Sequence, residues 1–237
     1  MNPRALPLLI GLGPLVVINF CYWLAAQNGS IPACMPYLDG CTSVSATGRH
    51  PPSSFLFRAT MLPIAALIIV YWKLCAAWLR VLGAAGPLRA GALFAIGGTG
   101  GLFLIVYVTF LGSEGDFYNL MRRYGVTVFF GFNYLAQLML AERVVMHDAA
   151  LALPALRRIG WLKLAICILM LAIGLASIPV MNFVADKDRM QNVMEWNFGL
   201  LMLGNFALTH FLWRATRFEL SPVASLSPRE DATAADG

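Results

Sequence analysis

The chain has 237 residues, of which 59% are hydrophobic and only 12% charged, with a formal net charge of +5. Soluble domains carry about 25% charged residues, so a water-soluble globular fold is excluded, and with it a disordered, collagen-like or disulfide-rich secreted chain. What remains is an all-α polytopic membrane protein. A bilayer core about 30 Å thick takes roughly 20 apolar residues per helix, and six such runs occur, at 6–26, 55–78, 90–112, 124–141, 161–184 and 193–213. Helices of this kind satisfy their own backbone groups in lipid. The alternating segments of about ten residues that build a membrane β-barrel do not occur.

The first run follows the short basic start Asn2-Pro3-Arg4. Its apolar stretch exceeds the roughly 7–15 residues of a signal-peptide core, so it is expected to remain as the first membrane helix. After it comes the one sizeable extramembrane element, 27–54, rich in Pro, Gly, Ser and Thr; loops of this length are often functional. Cys34 and Cys41 lie in it, and on the oxidising side of a membrane they are expected to form a disulfide. A CxxC-type redox or metal site would need other spacing and histidine partners. Asp39, Ser43, Ser45 and His50 share this loop, a weak signal for a hydrolytic triad.

The second run places Arg58 about one turn inside its outer end. The third carries Gly97 and Gly101, a small-xxx-small pair that allows close helix approach. Arg122 and Arg123 precede the fourth run, which Asn133 and Gln137 interrupt. These two amides are four residues apart, share a face and read as interhelical hydrogen-bonding groups. Pro14, Pro63 and Pro179 fall inside the first, second and fifth runs and predict kinks. The loop before the sixth run holds Asp186, Lys187, Asp188 and Arg189, and Glu195 opens that run. Residues 1–220 thus form one six-helix membrane domain, and the polar segment 221–237 is expected to be a disordered cytoplasmic tail. No internal repeat stands out, so an inverted-repeat transporter lacks its usual pointer.

Orientation follows from Lys and Arg. With the N-terminus in the cytoplasm, Arg4, Lys73, Arg80, Arg89, Arg143, Arg157, Arg158, Lys163, Arg214, Arg217 and Arg229 lie on the inner side. Arg49, Arg58, Arg122, Arg123, Lys187 and Arg189 lie on the outer side. This bias predicts cytoplasmic N and C termini in the plasma (inner) membrane, with the first loop extracytoplasmic. Topology and anionic lipid account for the basic excess, and no basic soluble module points to nucleic acid. His50, His147 and His210 occupy different regions, which argues against a zinc site or a haem pair. No P-loop, dinucleotide fingerprint or HExxH motif occurs, so neither metal nor cofactor is expected.

A charge in the hydrocarbon costs several kcal/mol, so Arg58 and Glu195 are expected to face inward and find partners, either each other or a ligand. Arg122 and Arg123 have the forked geometry that grips phosphate oxygens.

Two motifs carry a family resemblance. In the first loop, Met35-Pro36-Tyr37-Leu38-Asp39, then Ser43-Val44-Ser45-Ala46-Thr47-Gly48, then Pro51-Pro52 and Phe55-Leu56-Phe57-Arg58 resemble the entry to the second helix in the FRAG/DRAM/SFK superfamily. Asn192-Val193-Met194-Glu195-Trp196 is similar to that family's segment opening the sixth helix. The resemblance implies a six-helix bundle that handles or regulates lipids, with Ser45, Arg58 and Glu195 as the carried-over positions. The Arg122-Arg123 pair, where some relatives have His, and the Cys34/Cys41 pair are departures.

The leading expectation is an outward-facing polar pocket under the first loop, lined by Ser45, Arg58, Arg122, Arg123 and Glu195. It would bind or help remodel a lipid with an anionic or glycosylated headgroup. In an acyl transfer, His50 or Glu195 would be the base. Membrane lipids are the expected partners. The alternatives are a non-enzymatic scaffold or regulator with a protein partner in the membrane, and a small transporter.

Overall fold

The computed structural model describes residues 3–147 and 153–219. The tail 221–237 lies outside them. Six long helices account for most of the described chain: α1 (Leu6–Gln27), α4 (Ser53–Val81), α5 (Pro87–Phe110), α6 (Asp116–Met146), α7 (Pro154–Phe183) and α8 (Lys187–Ala215). Two single-turn helices, α2 (Pro36–Asp39) and α3 (Val44–Thr47), lie in the first loop. Among the described residues there is no strand.

Five segments are long and apolar enough to cross a membrane: Pro3–Gln27, Ser53–Val81, Pro87–Phe110, Asp116–Met146 and Pro154–Pro179. The sixth expected span, α8, is more polar than the others. Asn197, Asn205, Thr209 and His210 interrupt its apolar stretch, and each has a partner inside the protein. Asn197 donates to the Tyr37 carbonyl at 2.9 Å, Asn205 and Thr209 accept from Lys163, and His210 Nδ1 lies 2.6 Å from the Arg4 carbonyl.

The long helices form a closed ring. α1 packs on α4, α4 on α5, α5 on α6, α6 on α7, α7 on α8, and α8 back on α1. An aromatic core fills the centre, with Tyr71 and Trp72 of α4 edge-on to Phe206 of α8. Gly97 and Gly101 let α5 approach α4, because a Cβ at Gly97 would enter the Trp72 ring and one at Gly101 would press on the Ala65 carbonyl. Gly100 faces Asn133 of α6 in the same way. Trp72 Nε1 therefore donates to Asn133 Oδ1 at 2.8 Å across this glycine face.

Three helices start well before the expected positions: α7 begins at Pro154 rather than 161, and α6 and α8 do so for an electrostatic reason. α6 begins at Asp116, whose carboxylate favours a helix N-terminus, so Arg122 and Arg123 sit within the helix rather than before it. α8 begins at Lys187, because the Asp186 side chain accepts from the Arg189 N–H at 3.0 Å and caps it. Glu195 therefore lies in the third turn of α8, about 12 Å along a helix that rises 1.5 Å per residue.

The first loop is fastened to α8. Cys34 and Cys41 form a disulfide, and the Tyr22 hydroxyl donates to the Cys34 carbonyl at 2.7 Å. Asn192 donates to Gly40 O and Trp196 to Thr42 O, each at 2.9 Å. Gly40 has φ +61°, and a Cβ there would strike the Arg189 carbonyl, so both conformation and space call for glycine. This loop marks one end of the bundle, termed the loop end below. The opposite end is closed by Arg4, which pairs with Glu219 at 2.8 Å.

Candidate functional site

At the loop end, α3, α5, α6, α7 and α8 surround an open cavity of about 620 Å³. Its size falls in the range of ligand pockets, roughly 300–1,000 Å³. α6 supplies Asn119, Arg122, Arg123, Val126, Thr127 and Phe130. α8 supplies Gln191, Met194, Glu195 and Phe198. The loop contributes Ser45 and Arg49, α5 contributes Tyr107, and α7 contributes Gly174.

Helical periodicity brings these groups together. Asn119, Arg122 and Arg123, Val126 and Thr127, and Phe130 recur at three- to four-residue spacing on one face of α6. Gln191, Glu195 and Phe198 do the same on α8. Ser45 and Arg49 are four apart across the turn of α3, and the Arg49 guanidinium donates to Ser45 Oγ at 2.9 Å. Ser45 Oγ also lies 3.1 Å from Ser43 Oγ, and the buried Tyr107 hydroxyl sits beside Ser45. The Glu195 carboxylate faces the backbone N–H groups of Val44 and Ser45, with Arg49 close by. Glu195 is the one carboxylate among the lining residues.

Three guanidinium groups face this space. Each has five N–H donors, and few are used among the described residues. Arg49 gives one bond to Ser45 and Arg122 gives one to Asn119. No carboxylate of a described residue forms an ion pair with Arg122 or Arg123. The cavity is thus cationic and has donors to spare.

A second, smaller cavity of about 70 Å³ adjoins it. Its lining is almost wholly apolar and includes Pro14, Ile18, Met61, Phe129 and Trp196. The two cavities share Phe130 and Glu195 in their linings. Phe130 and Glu195 therefore stand between a polar, cationic space and an apolar slot.

Ser45, Arg122, Arg123 and Glu195 converge as expected from the sequence. Arg58 does not join them. Its guanidinium donates to the Leu111 carbonyl at the end of α5, and its Nε is buried without a partner. The expected Arg58–Glu195 contact is absent: the cation is used on a backbone carbonyl, and the anion lies beside Val44 and Ser45 of the loop. His50 is exposed and lies outside the lining, so a His50 base has no place in this cavity. Arg49 and Tyr107 were not anticipated. Arg49 had a signal, its i,i+4 spacing from Ser45 in the loop motif. Tyr107 had none, being one aromatic residue in an apolar run.

A different polar cluster lies deeper. Lys163 of α7, counted from the sequence as an inner-side topological charge, is 0% exposed. Its ammonium donates to Gln137 Oε1 at 2.9 Å, to Asn205 O and Oδ1 at 2.6 Å each, and to Thr209 Oγ1 at 3.1 Å. Thr209 in turn lies 2.8 Å from the Tyr71 hydroxyl, and Asn205 donates to Cys167 Sγ at 3.3 Å. No carboxylate takes part in this cage. Four neutral oxygens solvate the ion in place of water, which is how a charge inside a membrane bundle is made tolerable. The expected hydrogen-bonding role of Gln137 is met here, although its Nε2 is buried without a partner.

Among the described residues no group of His, Cys, Asp and Glu could hold a metal ion. The chain matches no family model, no curated protein and no solved structure.

Proposed function

We propose that this chain is a six-span integral membrane protein that binds a lipid with an anionic headgroup in the loop-end cavity. The observation that carries the reading is the junction of the two cavities. Arg49, Arg122 and Arg123 line a polar space large enough for a headgroup, and an apolar slot begins at Phe130 and Glu195. A phosphate or other anion suits forked guanidinium donors, and the adjoining slot takes the first methylenes of a chain. A water-soluble anion would have no use for the slot.

In this reading α8 is the sixth span, its polar residues facing partners in the bundle rather than lipid. Both termini are cytoplasmic and the loop end is extracytoplasmic. The charge bias between the two ends and the disulfide in the first loop support that orientation. The motif resemblance to the FRAG/DRAM/SFK superfamily points the same way, toward lipid handling. Glu195 shapes the junction, while the arginines hold the headgroup.

The test is native mass spectrometry of the detergent-purified protein with identification of co-purifying lipids. One anionic class should be enriched, and it should be lost when Arg49→Ala and Arg122→Ala are combined. Retention of bulk lipids alone, unchanged by the double variant, contradicts the proposal.

A further inference from the structure

The two polar clusters are linked through α7. This helix touches the rest of the ring only through α6 and α8 in any extent. Its buried positions are Leu156, Gly160, Lys163, Cys167 and Met170, a run at four- and three-residue spacing that forms one seam. The seam stops at Met170. From Leu171 to Pro179 no residue is buried. The next two positions on the seam would be Gly174 and Ser177, both small. Gly174 lines the 620 Å³ cavity, and no atom lies within 4 Å of where its Cβ would be.

The same helix is therefore buried along one half and only exposed or half-buried along the other. Fastening is concentrated at Lys163, whose three N–H donors are shared among four oxygens, reaching α6 through Gln137 and α8 through Asn205 and Thr209. α6 and α8 are also the helices that carry Arg122, Arg123 and Glu195. The ammonium is saturated and enclosed, so it has no free donor for a ligand. Its effect on the cavity is to set where α7 pivots.

We infer that Lys163 is a positioning residue that pins α7 to α6 and α8, leaving the Leu171–Pro179 half as the movable wall through which a lipid reaches the cavity sideways from the bilayer. The inference rests on the lipid-binding reading for its ligand, but the pivot has its own observable. A lipid headgroup that enters this way need not cross the loop, which the disulfide and the α8 contacts hold in place. Gly174 and Ser177 keep the wall thin where the headgroup passes, and Pro179 removes one backbone hydrogen bond near the end of that half.

The experiment measures distances by pulsed electron resonance in phosphatidylcholine nanodiscs with and without phosphatidylglycerol. One spin-label pair sits at Leu175 of α7 and Tyr124 of α6, both exposed. A reference pair sits at Phe55 of α4 and Leu102 of α5, also exposed. The three free cysteines are buried, so the labels report the introduced sites. In the wild-type chain the α7–α6 distribution should narrow when phosphatidylglycerol is added. Lys163→Met should broaden that distribution and abolish the narrowing, while the reference pair stays unchanged. Lys163→Arg, which keeps the charge, should restore part of it. An α7–α6 distribution insensitive to Lys163→Met overturns the inference. Equal broadening of both pairs also overturns it, because Lys163 would then hold the whole ring. If Lys163→Met broadens the pair but no lipid narrows it in the wild type, the pivot stands and the lipid-binding reading fails.

Discussion

The bundle holds two groups of basic side chains that look alike in composition and differ in what surrounds them. Lys163 lies in the interior with every ammonium donor engaged by protein oxygens. Arg49, Arg122 and Arg123 line an open cavity with most of their donors unengaged among the described residues. The first arrangement stores its interactions inside the fold. The second keeps them available to something that arrives. What separates the two cases is whether unengaged donors open on the cavity. Arg58 falls outside the cavity group by this criterion: like Arg49 and Arg122 it gives one bond, to the Leu111 carbonyl, but it does not line the cavity, and its Nε is buried without a partner.

The largest expected effect on stability is at Lys163. Interhelical hydrogen bonds in membranes average about 0.6 kcal/mol, and stranded buried acceptors cost about 1–3 kcal/mol. Relief of the buried charge offsets part of this. Lys163→Met is expected to lower stability by about 2 kcal/mol, read by unfolding in mixed detergent micelles. It should leave the arginine-lined cavity's charge untouched.

The opposite pattern is expected at the cavity. Hydrogen bonds to charged groups contribute about 1.5–3 kcal/mol, so Arg49→Ala or Arg122→Ala should each weaken anionic-lipid retention by about tenfold or more, with unfolding midpoints unchanged. Competition of labelled against unlabelled lipid in nanodiscs gives the ratio.

Arg58→Ala sharpens the comparison. It is expected to lower stability by about 1 kcal/mol, the value of one net hydrogen bond, and to leave lipid retention as it was. Loss of lipid in this variant with stability preserved would move Arg58 into the binding group and break the criterion of donors open on the cavity. The smallest effect is expected at the exposed ion pair of Arg189 with Asp39, 3.6 Å apart at side-chain exposures of 59% and 47%. Arg189 also donates from Nε to the Asp39 carbonyl, and Arg189→Gln should cost under about 1 kcal/mol in the same unfolding measurement.

Much of the scaffold was legible in the sequence, since run length and lack of charge report directly on helices in lipid. The Gly97/Gly101 approach was legible for the same reason: small residues at four-residue spacing have one geometric use. The ring order was not, because nothing in a run of Leu and Ile says which neighbour it faces. At the site, Ser45, Arg122, Arg123 and Glu195 were recognisable as charged or motif residues at helix ends. Their separation from Arg58 was not. Two opposite charges near one end of a bundle suggest a pair, and nothing in the sequence says that Arg58 turns to the Leu111 carbonyl instead. Lys163 was misjudged for a related reason. A lysine near the start of an apolar run reads as a topological charge, and the amides and hydroxyl that enclose it, Gln137, Asn205 and Thr209, come from two other helices far along the chain.

The most direct test of this criterion, donors open on the cavity, is native mass spectrometry with lipid identification on the wild type, the Arg49→Ala/Arg122→Ala variant and the Arg58→Ala variant side by side. The account predicts one enriched anionic lipid class in the wild type, retained in Arg58→Ala and lost in the double variant. An identical lipid profile in all three would contradict it.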